Sequence, residues 1–348
     1  MDQPSKNQAT PLSKIGEFKL INHLTEKVDI KHKSTIKGIG DDAAIIKGGK
    51  EELVVTTDML CEGIHFDLLY TPIKHLGYKA VVVNLSDIYA MNARPEQITV
   101  SIAVSNKISV EFLEELYEGI QMACDNYQVD LIGGDTTSSN SGLIISVTAI
   151  GRALKEDIVY RSTAAANELI CVSGDLGGAY MGLQLLEREK SIYESSKGVQ
   201  PDLSGYDYIL ERQLKPEARF DIIHTLKKKG ILPTSMIDVS DGLSSDLLHL
   251  CEASNLGCSL YEEKIPIDTT TVSISEDFKI GQTTAALNGG EDYELLFTVK
   301  LDDHEKITQI PEITIIGHMN GKGEGKNLIT TTGSVIEITA SGWDSIED

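Results

Sequence analysis

Cysteine is sparse in this chain of 348 residues: five are scattered (Cys61, Cys124, Cys171, Cys251 and Cys258), and none stands in a C-x-x-C pair. An odd, dispersed set supports neither a disulfide framework nor a zinc site, so reduced and mostly buried thiols are expected. Basic residues are also short, 31 Lys plus Arg against 53 Asp plus Glu, for a net charge of −22 with neutral histidines. Such a surface repels phosphate backbones and anionic head groups, and no cluster of Lys and Arg offsets it, which excludes nucleic acid and membrane as expected partners. Long hydrophobic runs are missing: Ala80 to Val83 and Leu143 to Val147 are among the longest, far short of the roughly 20 residues that span a bilayer. The start, MDQPSKNQATPLSK, lacks the apolar core of a signal peptide, so a cytoplasmic location is expected. The P-loop, H-E-x-x-H, G-x-S-x-G and protein-kinase signatures are all absent. Gly38-Ile39-Gly40-Asp41-Asp42-Ala43 fits a relaxed dinucleotide fingerprint, but strand-like residues follow where that motif needs a helix.

What is present is a globular composition, with 41% hydrophobic residues, in which helical and strand periods alternate. That alternation predicts an α/β fold in two domains. A loose tail is expected at 1–14, a first domain over 15–155 and a second over 156–348, divided by the polar stretch Gly151 to Asn167. In the first domain, strands are expected at Leu53 to Thr57, Gln97 to Val104, Val129 to Ile132 and Leu143 to Ile150. Helices are expected from Tyr78 to a stop at Asn92 and Pro95, and from Glu111 to Asn126. In the second, strands are expected at Glu168 to Val172, Met236 to Val239, Tyr293 to Val299 and Ile313 to Ile316. Helices are expected at Ala179 to Glu189, from Pro216 through Lys229, and at Leu243 to Asn255, with a polar loop over 190–205.

Five times an apolar segment ends at or carries an aspartate beside small or hydroxyl residues: Gly40-Asp41-Asp42, Thr56-Thr57-Asp58, Leu85-Ser86-Asp87, Gly133-Gly134-Asp135-Thr136-Thr137 and Asp238-Val239-Ser240-Asp241-Gly242. Each alone reads as a turn former or helix cap. Gathered at the strand ends of an open α/β sheet, where ligands bind, several carboxylates would need counter-cations. Two unit charges about 4 Å apart interact by about 4 kcal/mol at an effective dielectric of 20. Magnesium suits such a site, because it takes oxygen ligands and is held by a few carboxylates together with substrate phosphates. On the residues alone, both readings stand.

The ordered blocks GEFKLI (16–21), GIGDDAAI (38–45), TTDMLCEGIHF (56–66), YKAVVVNLSDIYAMNARP (78–95), LIGGDTT (131–137), GRAL with YRSTA (151–164), IDVSDGLSSDL (237–247) and LNGGEDYELLFTV (287–299) span nearly the whole chain. Together they resemble the thiamine-monophosphate kinase family, within a superfamily that includes aminoimidazole ribonucleotide synthetase, hydrogenase-maturation proteins and selenophosphate synthetase. The resemblance implies an N-terminal mixed-sheet domain that forms the interface of a homodimer, and a C-terminal α/β domain. It also implies phosphoryl transfer from ATP to thiamine monophosphate with several Mg2+ ions. Carried over by motif, Asp42, Thr56, Thr57, Asp58, Asp87, Asp135, Asp238 and Asp241 are metal ligands. Tyr117, Gly134, Asp135, Arg161 and Ser240 contact ATP, and His65, Glu291 and Trp343 contact the thiamine phosphate. No general base is implied. Asn92 departs from the glycine usual in the family, but it tolerates a left-handed helix end. A selenophosphate synthetase is disfavoured, since residues 1–37 hold no Cys and only Gly16. A magnesium-dependent phosphohydrolase and a non-catalytic nucleotide-binding scaffold remain as alternatives.

Overall fold

Residues 30–196 and 203–339, with Ile21, Thr25 and Glu26, are described by the computed structural model of the chain. The tail at 1–14 and Trp343 lie outside the described residues. Alternating burial along Ile144–Ala153 gives strand β6 one face for the core and one facing out. It lies inside a mixed six-stranded sheet of β1 (Thr35–Lys37), β2 (Ala44–Ile46), β3 (Glu52–Cys61), β4 (Arg94–Val104), β5 (Asp130–Ser138) and β6, in the order β1-β2-β3-β6-β4-β5. Among the described residues of this sheet, only β4 and β5 pair in parallel.

Helices α1 (Ile73–Ala90) and α2 (Val110–Tyr127) pack with this sheet around a core that includes Leu76, Val81, Leu85, Leu116, Ile120 and Val147. The two helices cross at glycines. A Cβ on Gly77 would stand 2.0 Å from the Leu116 carbonyl oxygen, and one on Gly119 would stand 1.9 Å from that of Lys74. Ser109 caps α2 by accepting from the Phe112 N–H. Helix α1 is buried nearly all round, Lys79, Asn84 and Ser86 included.

The second sheet contains β7 (Leu169–Ser173), β8 (Ser235–Asp238), β9 (Gly257–Tyr261), β10 (Leu295–Val299), β11 (Ile313–Asn320), β12 (Lys326–Ile329) and β13 (Val335–Glu337), in the order β13-β12-β9-β11-β7-β10-β8. Strands β7, β8 and β10 are buried on both faces. Hydrophobic residues dominate β7 and β10, whereas β8 (SMID) also buries Ser235 and Asp238. Helices α3 (Gly178–Ser195), α4 (Asp207–Leu214), α5 (Phe220–Lys228), α6 (Leu243–Ser254), α7 (Thr269–Phe278) and α8 (Gln282–Asn288) accompany it.

The mixed α/β architecture agrees with expectation, and several element boundaries do not. Thr56 to Asp58 and Gly133 to Thr137 are not turns after strands but lie within β3 and β5. Pairing with a neighbour carries each strand past its polar residues: Asp58 faces Val147 across β6, and Asp135 faces Ser101 across β4. Pro216 opens no helix; α5 begins at Phe220, and α4 precedes it. Helix α3 runs on into the expected loop, to Ser195, and α1 begins at Ile73, before Tyr78. Asn92 takes the left-handed conformation, with φ 54°.

Candidate active site

Three acids from separate segments converge. Asp42 lies just before β2, Asp87 on α1 and Asp238 at the end of β8, and their carboxylate oxygens lie within 4.8 Å of one another. Hydroxyls orient two of them: Thr56 Oγ1 donates to Asp87 Oδ2 at 2.6 Å, and Ser86 Oγ donates to Asp238 Oδ2 at 2.5 Å. Arg161 holds the third in a fork, its Nε 2.9 Å from Asp42 Oδ2 and its Nη2 2.5 Å from Asp42 Oδ1. The Arg161 carbonyl oxygen in turn accepts from Ser235 and Ser254, which anchors the residue at both ends.

Packing acids this closely, and away from water, disfavours their charged forms. Burial pushes the Asp87 carboxyl well above its ordinary range, Asp58, Asp238 and Asp42 push it further, and the Thr56 hydrogen bond opposes them. Asp238 is raised by burial and by Asp42, against the Ser86 hydrogen bond and Arg161. Burial works against the Arg161 charge, but Asp42, Asp41 and Asp238 together hold it more firmly than usual. Asp41 Oδ2 is buried without a hydrogen bond among the described residues, although Lys37 Nζ lies 3.5 Å away. An all-oxygen donor set with like charges in contact fits a hard divalent cation.

The other expected residues divide. Alternation along β3 turns Thr56 and Asp58 to one face and Thr57 to the other. There the Thr57 hydroxyl donates to the Val147 carbonyl and meets Thr148, so its side chain stands apart from the cluster. The Asp58 main-chain N–H is fixed by Asn84 Oδ1 at 2.9 Å, and its charge reaches both Asp87 and Asp238. Asp135 is exposed on the edge strand β5, outside the three-acid group. Gly134 has a structural reason of its own: a Cβ there would stand 1.7 Å from the Val100 carbonyl oxygen. Tyr117 is half-buried on α2 against the first core.

Beyond β8, Asp246 Oδ2 accepts from the N–H groups of Asp241 and Gly242 and shapes the turn that carries Ser240 and Asp241. The Ser240 carbonyl accepts from the Glu291 N–H at 2.7 Å. Glu291 and Tyr293 both hold positive φ, 57° and 52°, beside Gly290 at 68°. A loop so strained is a feature of functional sites. His65 Nδ1 accepts from the Cys61 N–H at 3.1 Å, which leaves the proton of a neutral ring on Nε2. Sequence reasoning missed Asn84, Ser86, Asp246, Lys79 and Gln213. For the first two, polar residues inside the apolar run of α1 were a usable signal.

Residues 40–153 match the family model "AIR synthase related protein, N-terminal domain". The thiamine-monophosphate kinase of Bacillus subtilis (strain 168) is 35% identical over 95% of this chain and 99% of its own. That of Buchnera aphidicola subsp. Schizaphis graminum is 35% identical over 92% and 96%. A solved structure described as AaThiL complexed with AMPPCP and TMP superposes with a TM-score of 0.81 at 29% identity, covering 97% of this chain and 99% of the other. A chain with this fold, this acid cluster and such identity over nearly its full length belongs to the thiamine-monophosphate kinase family.

Proposed function

We propose that this chain transfers the γ-phosphoryl group of ATP to the phosphate of thiamine monophosphate, giving thiamine diphosphate and ADP. The observation that carries this reading is the convergence of Asp42, Asp87 and Asp238 in a member of this family. The AMPPCP and TMP named with the AaThiL structure support ATP and thiamine monophosphate as its substrates.

Asp42, Asp87 and Asp238, with Thr56 and Asp58 beside them, are the residues that would hold Mg2+; Thr57, Asp135 and Asp241 are the further ligand candidates. Bound there, magnesium would neutralise phosphate oxygens on two polyanions that otherwise repel. The chain's own residues do the rest by orientation. Thr56 and Ser86 fix the lone pairs of two carboxylates, and Arg161 adds positive charge beside Asp42 for a phosphate group. Gly134, Tyr117 and Ser240 are assigned to the nucleotide. His65, Glu291 and Trp343 are assigned to the thiamine phosphate. The acceptor phosphate has a second pKa near 6 and is largely ionised at neutral pH, so no side chain need remove a proton.

We read the chain as two domains divided near residue 155 and as a cytoplasmic homodimer. Among the described residues no helix is long and apolar enough to cross a membrane. Met59 on β3 and Ile132 on β5 are 55% and 57% exposed, two outward apolar side chains on the first sheet that support pairing there. The test of the function is incubation with ATP, Mg2+ and thiamine monophosphate. Thiamine diphosphate is the expected product, and ADP with free phosphate in its absence would indicate the hydrolase instead.

A further inference from the structure

Lys79 and Gln213, both buried, and the half-buried Glu291 form a hydrogen-bonded group of which the function proposed above uses only Glu291. Lys79, 3% exposed, donates from Nζ to Glu291 Oε2 and to the main-chain oxygen of Gln213, each at 3.0 Å. Gln213 Nε2 donates to the same Glu291 oxygen at 2.7 Å. Gln213 is itself only 5% exposed, yet its Oε1 is buried with no hydrogen-bond partner among the described residues. Turning the amide over does not help, because it would set oxygen against the Glu291 carboxylate. The orphan is therefore an acceptor. A buried acceptor without a donor is costly to keep, and native structures rarely keep one without a use.

Gln213 and Lys79, with His65, Phe66, Tyr70 and Thr71, line a small cavity of about 10 Å³. Such a space takes roughly one water-sized group. A ligand there would present a single small donor, such as an amine, rather than a ring. Helix α1 sets how far this cavity lies from the acids. Lys79 and Asp87 are eight positions apart on it, about 12 Å at 1.5 Å per residue. That is the scale of an extended two-ring substrate with its phosphate at one end, and thiamine monophosphate carries the exocyclic amine of its aminopyrimidine at the other.

Resting on the function proposed above, we infer that Gln213 Oε1 accepts a hydrogen bond from the exocyclic amine of the substrate pyrimidine. Lys79 is the positioning residue that holds Glu291 and the Gln213 backbone in register for it. Gln213 is thus a specificity residue: it selects a donor at this ring position and disfavours an acceptor.

The test compares kcat/KM for thiamine monophosphate and for oxythiamine monophosphate, in which an oxo group replaces the amine, in the wild-type protein and in Gln213→Met. The wild type is expected to favour the amine by at least about tenfold, and Gln213→Met to bring the ratio close to unity, chiefly through loss with thiamine monophosphate. A merely structural role for Gln213 would lower both values and leave the ratio unmoved. Equal use of the two compounds by the wild type, which needs no variant to measure, or an unchanged ratio in Gln213→Met, overturns the inference. Absence of transfer to either compound by the wild type is a different result: it refutes the functional reading, and this inference with it.

Discussion

At Asp87 the needs of folding and of phosphate handling are opposed. Its carboxyl is raised by burial and by Asp58, Asp238 and Asp42, so in the metal-free protein its charge adds repulsion without an adequate partner. Asp87→Asn keeps an oxygen that can accept from Thr56 and removes the charge. It is expected to lower kcat/KM at least about a hundredfold, since even residues that merely support metal ligands are worth about 10–100-fold. The same change should raise the melting temperature of the metal-free protein and shrink the further rise that Mg2+ gives the wild type. Calorimetry with and without Mg2+, beside the kinetic assay, checks both signs, and a variant that is less stable and fully active would contradict the account. Asp42, Asp87 and Asp238 were legible in the sequence because each stands near small or hydroxyl residues in an apolar setting. Gln213 and Asp246 were not, because what distinguishes them is a partner distant in the chain or a backbone turn that exists only after folding.

Among the elements, sequence periodicity located most of the strands and helices but not their limits. Strands β3 and β5 outran their apolar residues because pairing, rather than side-chain character, determines where a strand stops. Helix α7 escaped because TTTVSISEDF, rich in Thr and Ser, favours helix weakly, and α8 because QTTAALN is only seven residues long. The crossing of α1 and α2 was equally invisible, since Gly77 and Gly119 look in sequence like weak points in helices. In the fold they are what lets the two backbones meet. Gly119→Ala would set a methyl 1.9 Å from the Lys74 carbonyl oxygen and should destabilise the protein by about 1–3 kcal/mol, the usual cost of overpacking. Chemical denaturation measures this, and a wild-type midpoint would mean that the helices separate freely. Because α1 carries Asp87, Ser86 and Lys79, the variant should also lose activity at temperatures where it remains folded.

For the whole molecule, the charge of −22 and the two exposed apolar side chains of the first sheet, Met59 and Ile132, lead to one expectation. Acidic protomers repel, so a dimer formed through Met59 and Ile132 must outweigh that repulsion and should strengthen with salt, which screens it. Sedimentation at low and moderate ionic strength is expected to show a dimer. Met59→Asp should give a folded monomer, whereas an unchanged dimer would direct attention to another surface. Helix α1 has a wider consequence. It belongs in sequence to the first sheet, yet its Ser86 holds Asp238, its Lys79 holds Glu291, and its Tyr78 hydroxyl donates to Glu217. Each half of the chain therefore completes the other, and neither could be exchanged alone for the matching half of a distant relative without breaking these contacts. Evolution of this enzyme is thereby confined to paired change across the seam, and recombination that respects the apparent boundary near residue 155 should still yield inactive chimaeras.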